Sequence, residues 1–141
     1  MADFGLVDSA CGPVKLDAPV TLSALEGAIR ASWDEQTSDT PERYDPANRE
    51  RDQCGPTSLV VRDYLGGDLL HVEVDTDGVL TDHHYWNRLA TGLEVDLTRA
   101  QFIRGETFGP VDALARPTDL GEAAQHRYEL LRSRVEESLR T

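Results

Sequence analysis

Apolar residues near both ends of the chain recur every three or four positions, which is the spacing of an amphipathic helix. The first stretch predicts a helix over residues 22–33, beginning at a capping box, Ser23-x-x-Glu26. The second predicts a long final helix from about Leu120, capped by Asp119-x-x-Glu122. We expect both apolar stripes to pack on the core, although the second could instead serve an oligomer contact. The second stripe consists of Leu120, Ala124, Tyr128, Leu131, Val135 and Leu139.

A further helix is predicted over residues 55–65, where apolar side chains cover most of the circumference and indicate central burial. Gly66 and Gly67 end it, because glycine readily takes the left-handed conformation that follows a helix. Pro56 belongs to the first turn, where a helix tolerates proline. Cys54 therefore lies at the helix N-terminus, where backbone amides and the helix dipole favour a thiolate. The alternative is an inert buried cysteine, which is common in protein cores.

Alternation with a period of two predicts a strand over residues 68–75 and a β-hairpin formed by residues 83–89 and 93–97. If Leu89 pairs with Leu93, alternate side chains of the two hairpin strands share one face. The residues on that face are His84, Trp86, Arg88, Glu94 and Asp96.

This register predicts two contacts between the hairpin strands. Arg88 and Glu94 form a cross-strand ion pair, and Asp96 lies diagonal to His84, about 7–8 Å away between backbones. An imidazole and a carboxylate can bridge that separation. Taken singly, His84 and Asp96 are each more often structural, but their common face, in a domain with a helix-start cysteine, favours a functional role.

Two other segments are predicted to be irregular. The polar residues 34–52 form a long loop leading into Cys54, either as one wall of a substrate cleft or as a solvated connector. The capping box Thr98-x-x-Gln101 predicts a short helix that buries Phe102 and Ile103. The glycines and prolines of residues 104–117 indicate a loop.

The length of 141 residues fits one domain with its own core. We expect residues 1–20 to form an irregular N-terminal extension and residues 21–141 to form the single domain. Cys11 lies in the extension, before an alternating segment that meets Pro19. It therefore lacks the helix terminus that distinguishes Cys54.

The charge balance limits the classes of partner. The chain has 26 acidic and 14 basic residues and a formal net charge of −12, so it repels phosphate backbones and nucleic acid is not expected as a partner. No run approaches the ~18 apolar residues of a membrane span. The first residues lack the basic and apolar regions of a secretory signal, which with only two cysteines favours a reducing cytoplasm.

A helix-start cysteine, then a strand histidine, then an aspartate on the next strand is the order of parts in papain-like and transglutaminase-like folds. In that arrangement His84 takes the proton of the Cys54 thiol, giving a thiolate–imidazolium pair. Asp96 holds the imidazole tautomer and stabilises the cation. Trp86 either shields this pair from water or only packs against it.

The tetrahedral oxyanion of such a reaction requires hydrogen-bond donors. The Cys54 backbone N–H is one. Asn48 lies six residues before the nucleophile, the offset at which papain-like proteases place their oxyanion glutamine, and Gln53 is the competing donor.

A zinc site built from Cys54, His83, His84 and Asp96 is disfavoured. Adjacent histidines on a strand point to opposite faces, and the chain has no paired-cysteine motif. No metal site is therefore predicted, and the proposed chemistry requires no cofactor.

The residues around Cys54 and His84 resemble those of the YunG-like family of small bacterial proteins. The resemblance covers about residues 22–139 and differs by the N-terminal extension and by Asp52, where a glycine is expected. It implies the fold and the Cys–His–Asp arrangement more firmly than a substrate. The matching residues are Asn48, Gln53-Cys54-Gly55, Thr57, Leu59-Val60-Val61, Asp63-Tyr64, Gly66-Gly67, His84-Tyr85-Trp86-Asn87, Gly92, Asp96-Leu97-Thr98, Gln101-Phe102, Arg127-Tyr128 and Leu131.

Together these features predict an α+β protein with a papain/transglutaminase-like core. In that core Cys54 begins a central helix packed on a small antiparallel sheet, with flanking N- and C-terminal helices. The expected activity is thiol-dependent hydrolysis of an amide, ester or thioester, on a small-molecule or peptide acyl substrate. An acyltransferase or amide-forming enzyme is the first alternative, and a binding module with a vestigial triad is the second. The oligomeric state is left open.

Overall fold

The computed structural model describes residues 19–103, 105–117 and 119–140. Within these ranges the fold is α+β, with three α-helices and one five-stranded sheet. Short 3-10 helices lie at Pro41–Arg43, Pro46–Asn48 and Arg99–Gln101. The main elements are α1 (Leu22–Ser32), α2 (Cys54–Leu65), β1 (Asp68–Thr76), β2 (Val79–Arg88), β3 (Glu94–Val95), β4 (Thr107–Phe108), β5 (Asp112–Leu114) and α3 (Glu122–Arg140).

The sheet is antiparallel and is built around β1 and β2, which pair along most of their length. β3 adds to the other edge of β2, while β4 and β5 pair with successive parts of the outer edge of β1. α2 packs on both α3 and β2, and α1 packs on α3. This arrangement confirms the central position predicted for the cysteine helix. The main core consists of Leu25, Ala28, Ile29, Trp33, Leu59, Val60, Val61, Leu69, Val95, Tyr128, Leu131 and Val135.

The predicted helices are confirmed, with a change in the cap of α1 and in the start of α3, which begins at Glu122 and not at Leu120. Thr21 is extended and its side chain accepts a hydrogen bond from the Ala24 N–H at 3.1 Å. The expected cap residue, Ser23, lies inside the helix. Two residues with similar hydroxyl side chains competed for the position, and Thr21 has the extended backbone that an N-cap requires.

The prediction of a loop over residues 104–117 was wrong in part, because β4 and β5 lie within it. Both are too short to show an alternating pattern, and they form because β1 offers unpaired backbone groups along its outer edge. The predicted burial of Ile103 was also wrong: its side chain is exposed, whereas Phe102 is half-buried. The short helix before it is a single 3-10 turn.

The hairpin has the predicted register. Arg88 pairs with Glu94 along the backbone, and the Leu89 N–H donates to the Leu93 carbonyl at 2.8 Å. The predicted Arg88–Glu94 ion pair was wrong, because each side chain has another partner. Arg88 binds Asp68 at 3.1 Å, and Glu94 accepts the Trp86 indole N–H at 2.8 Å.

Two sequence predictions fall largely or wholly outside the described ranges. Residues 1–18, which include Cys11 and most of the predicted extension, are not described.

No helix within the described ranges has the length and apolar composition needed to cross a membrane.

Replacing Gly67 with alanine is expected to lower the free energy of unfolding by about 3 kcal/mol or more. A Cβ there would lie 2.2 Å from the Arg88 carbonyl oxygen, and the backbone φ is +84°. The control is Gly78→Ala, at the β1–β2 turn, with φ +80° and no atom within 4 Å of the added Cβ. Gly78→Ala should lower the free energy of unfolding by only about 1–2 kcal/mol, the cost of a left-handed backbone at a residue with a Cβ. Equal losses in urea unfolding of the two variants would contradict the close approach of Gly67 to β2.

Candidate functional site

Cys54 is the first residue of α2, and its side chain is only 4% exposed. The thiol donates to the backbone carbonyl of His83, with Sγ 3.7 Å from the oxygen. The backbone of Tyr85 also hydrogen-bonds to the sulfur. These two backbone groups flank His84 along β2, so the thiol lies against the strand at the position of His84.

His84 is fully buried and is joined to Asp96 by a hydrogen bond of 2.7 Å between Nε2 and Oδ2. The diagonal contact predicted from the hairpin register is therefore present. An ionised carboxylate only accepts, so Nε2 donates this bond, and in the neutral imidazole the lone pair is then on Nδ1. Nδ1 is buried and has no hydrogen-bond partner within the described residues. A buried unpartnered imidazole nitrogen is uncommon in native proteins and calls for a functional explanation.

Aromatic rings enclose the imidazole of His84. Trp86 stacks on it with ring centroids 5.4 Å apart, and Phe102 meets it edge-on at 4.9 Å. The Trp86 ring is held in turn through its indole N–H, which donates to Glu94. Trp86 therefore packs directly on His84, and its role as a shield against water stays a prediction.

Arg99 is a contributor to this site that the sequence reasoning missed. Its Nε donates to Asp96 Oδ2 at 2.8 Å, on the oxygen that also binds His84. Its guanidinium lies over the Phe108 ring at 4.7 Å and the Trp86 ring at 5.5 Å. The only sequence signal is a basic residue three positions after Asp96, which is too common to be diagnostic.

The structure brings Cys54 to the backbone beside His84 but not into a hydrogen bond with its ring. Among the described residues, Cys54 Sγ has no hydrogen bond to the imidazole. The site therefore consists of a hydrogen-bonded His84–Asp96 pair and an adjacent thiol that donates to the His83 backbone carbonyl.

Burial, with smaller contributions from the carboxylates of Asp39, Asp52 and Asp96, raises the pKa of the Cys54 thiol to about 12. The hydrogen bond from the Tyr85 backbone opposes this rise. The expectation of a resting thiolate stabilised by the helix N-terminus is therefore wrong, because the loss of solvation exceeds the effect of the helix dipole.

This thiol makes the stability of the fold depend on pH. In the unfolded chain Cys54 ionises near its ordinary pKa of 9, whereas the folded chain holds the proton until about pH 12. The folded state binds more protons in this window, so stability falls as pH rises through it. Between pH 8 and 10.5 the wild type should lose about 2 kcal/mol more than Cys54→Ala. Urea unfolding at several pH values measures this, and parallel curves for the two proteins would refute it.

The two amides predicted as oxyanion donors have other partners in this structure. Asn48 donates to the Gln101 carbonyl at 3.3 Å. Gln53 is fully buried, accepts from the Thr37 hydroxyl at 2.8 Å and donates to the Asp34 carbonyl at 3.0 Å. Both side chains therefore order the loop that precedes Cys54, and their role as oxyanion donors stays a prediction.

Asp52 shows why a glycine is expected before Gln53. Its φ is +61°, in the left-handed region that favours glycine. Its carboxylate accepts a short hydrogen bond from the Thr40 hydroxyl and another from Arg43 at 3.1 Å. These contacts hold the polar loop against the start of α2. The hydrogen bonds that the Asp52 carboxylate accepts therefore stabilise a left-handed backbone that glycine would adopt without strain.

No cluster of three or more histidine, cysteine, aspartate or glutamate side chains suited to a metal ion occurs in the described part of the chain.

Comparison with known proteins assigns a family to the chain. The family described as YunG protein matches residues 21–140, which includes Cys54, His84 and Asp96. No curated protein and no solved structure shows a significant match. Because the family match covers most of the sequence, the chain belongs to the YunG family.

Proposed function

We propose that the protein performs thiol-dependent acyl chemistry: hydrolysis of an amide, ester or thioester through an acyl-Cys54 intermediate, in a papain/transglutaminase-like core. The observation that supports this most is His84, whose Nε2 is bound to Asp96 while its buried Nδ1 has no partner within the described residues. This is the state of a general base that awaits a proton. The Cys54 thiol lies against the same stretch of β2.

In the proposed reaction, the Cys54 sulfur carries its proton at rest. When the substrate carbonyl approaches, Sγ forms a bond to the carbonyl carbon, the carbonyl π electrons move to oxygen, and the thiol proton passes to His84 Nδ1. Asp96 stabilises the resulting imidazolium. Collapse of the tetrahedral intermediate breaks the bond to the leaving group, which takes the proton from His84. Water then attacks the acyl-cysteine carbonyl carbon and gives a proton to His84 Nδ1. Collapse of this second tetrahedral intermediate breaks the C–S bond, the acid leaves, and the proton returns from His84 to the Cys54 sulfur.

The start of α2 supplies hydrogen-bond donors for the negative oxygen of both intermediates. The first four N–H groups of a helix have no acceptor within the helix. The Cys54 N–H is among them, because Cys54 is the first residue of α2. An oxyanion bonded there also gains from the positive end of the helix dipole.

A second candidate is transfer of the acyl group to an amine. Burial of Cys54 at 4% exposure favours it, because an enclosed thioester is protected from water. In this case an amine nitrogen replaces water as the attacking atom. Adding hydroxylamine during turnover distinguishes the two: a hydroxamate formed faster than the free acid indicates transfer.

The test is trapping of an acyl adduct on Cys54 by intact-mass analysis after incubation with a panel of esters, thioesters and amides. We expect an adduct on the wild type, none on Cys54→Ala, and formation at least about 100-fold slower on His84→Gln. The matched control is His83→Gln, on the neighbouring exposed residue, which should behave as wild type. Absence of an adduct with every substrate would contradict the proposal and favour the binding-module alternative.

A further inference from the structure

A cavity of about 390 Å³ lies between α2, α3 and the segment that follows β5. Its wall is largely aliphatic, with two charged side chains, Asp39 and Arg127. The aliphatic residues that line it are Leu59, Leu69, Leu114, Leu120 and Ala124. An apolar cavity of about 150 Å³ already holds a benzene molecule, so this one can take a chain of about eight carbons.

One part of this cavity adjoins the candidate nucleophile. Gly55 and Pro56, which follow Cys54 in α2, line it together with Tyr85. The Tyr85 backbone hydrogen-bonds to the Cys54 sulfur. The wall of the cavity therefore begins at Gly55, the residue that follows Cys54 in sequence. Leu59 extends this wall by one turn along α2.

The charged pair lies at this same part of the cavity. Asp39 binds Arg127 at 2.9 Å, and a Cβ added to Gly55 would lie 3.8 Å from the Asp39 carboxylate. Arg127 Nε is buried and has no hydrogen-bond acceptor within the described residues. A ligand oxygen at this position would satisfy that N–H, while an aliphatic tail would cover the leucines.

We propose that this cavity binds the acyl group of the substrate, and that the group is a medium-length aliphatic chain of about eight carbons. The polar end of the chain lies beside Gly55, Asp39 and Arg127, and the tail lies among Leu59, Leu69, Leu114 and Leu120. The assignment of the chain as an acyl group rests on the proposed acyl chemistry at Cys54. The cavity and its preference for an aliphatic ligand can be tested without that chemistry.

The binding test uses octanoate as the probe and Cys54→Ala as the protein, so that no reaction is required. We expect saturable binding by calorimetry, and binding to acetate at least about tenfold weaker, because each buried methylene adds roughly fourfold. Adding Ala124→Phe fills the cavity and should abolish octanoate binding. The matched control adds Ala123→Phe, on the exposed neighbouring residue of α3, and should keep it. If octanoate fails to bind, or binds equally to both double variants, the cavity proposal is overturned.

The chemical test compares acetyl and octanoyl thioesters as acyl donors to the wild type. Octanoyl should form the Cys54 adduct at least about tenfold faster, and Ala124→Phe should remove this preference. Ala123→Phe should retain it. Equal rates for the two donors would overturn the chain-length preference while leaving acyl chemistry at Cys54 intact. No adduct from either donor, with octanoate still bound, would overturn the acyl role of the cavity and the proposed function but not ligand binding.

Discussion

Replacing Asp96 with asparagine is expected to slow acylation of Cys54 by about 10³–10⁴-fold, because the change reverses the tautomer of His84. The carboxylate accepts from Nε2 at 2.7 Å and leaves the lone pair on Nδ1. An asparagine amide that donates to Nε2 would place the proton on Nδ1 and remove the base. Arg99 Nε donates to the same Oδ2 and favours an asparagine oxygen at that position, so it opposes the reversal and we expect the lower end of this range.

The measurement is the single-turnover rate of adduct formation on Cys54 with the best thioester donor. Asp112→Asn is the matched control, because Asp112 lies 3.7 Å from another strand histidine, His71, and is exposed. It should leave the rate unchanged within about twofold, as expected for an exposed charge pair. Circular dichroism and urea unfolding establish that both variants are folded. A folded Asp96→Asn protein that acylates at the wild-type rate would show that Asp96 does not orient His84.

Replacing Asp63 with asparagine is expected to lower the free energy of unfolding by about 3–5 kcal/mol, the usual cost of breaking a buried ion pair. The Asp63 side chain is 0% exposed on α2 and binds Arg116 at 3.2 Å. It also accepts a short hydrogen bond from the Tyr128 hydroxyl of α3. Arg132 approaches the same carboxylate at 3.7 Å. The neutral amide would remove this negative charge from beside the buried Arg116 guanidinium.

Burial raises the pKa of Asp63, while the Tyr128 hydrogen bond and the two arginines oppose the rise. The matched control is Asp68→Asn, whose carboxylate is 59% exposed and binds Arg88 at 3.1 Å. An exposed pair contributes about 1 kcal/mol or less. Urea unfolding of both variants measures the difference. Similar losses would show that the Asp63 cluster is not an energetic link between α2 and α3.

The buried cluster at Asp63 also bears on the proposed acyl cavity. Arg116 precedes Pro117, and Tyr128 follows Arg127; both Pro117 and Arg127 line the cavity. Asp63→Asn is therefore expected to weaken octanoate binding more than it disturbs the His84–Asp96 hydrogen bond, which lies on the hairpin.

Local patterns were sufficient to predict the main elements and the relation between two site residues. Tyr128, Leu131 and Val135, at the centre of the apolar stripe of α3, are buried as expected, because a helix of that length needs only a 3.6-residue period to define its face. His84 meets Asp96 because a two-residue period and a short turn determine which side chains share a hairpin face. These are short-range consequences of backbone geometry and can be inferred without knowing what packs on them.

The contacts that join distant segments could not be inferred in this way. β4 and β5 form because the edge of β1 is open to pairing. The position of the Arg99 guanidinium depends on the rings of Trp86 and Phe108, which it covers. The state of the Cys54 thiol is the clearest case. Its place at a helix start is a property of the sequence, and that place alone favours ionisation. Only the tertiary structure buries the sulfur against β2 near three carboxylates, and desolvation then outweighs the helix dipole and keeps the proton on sulfur.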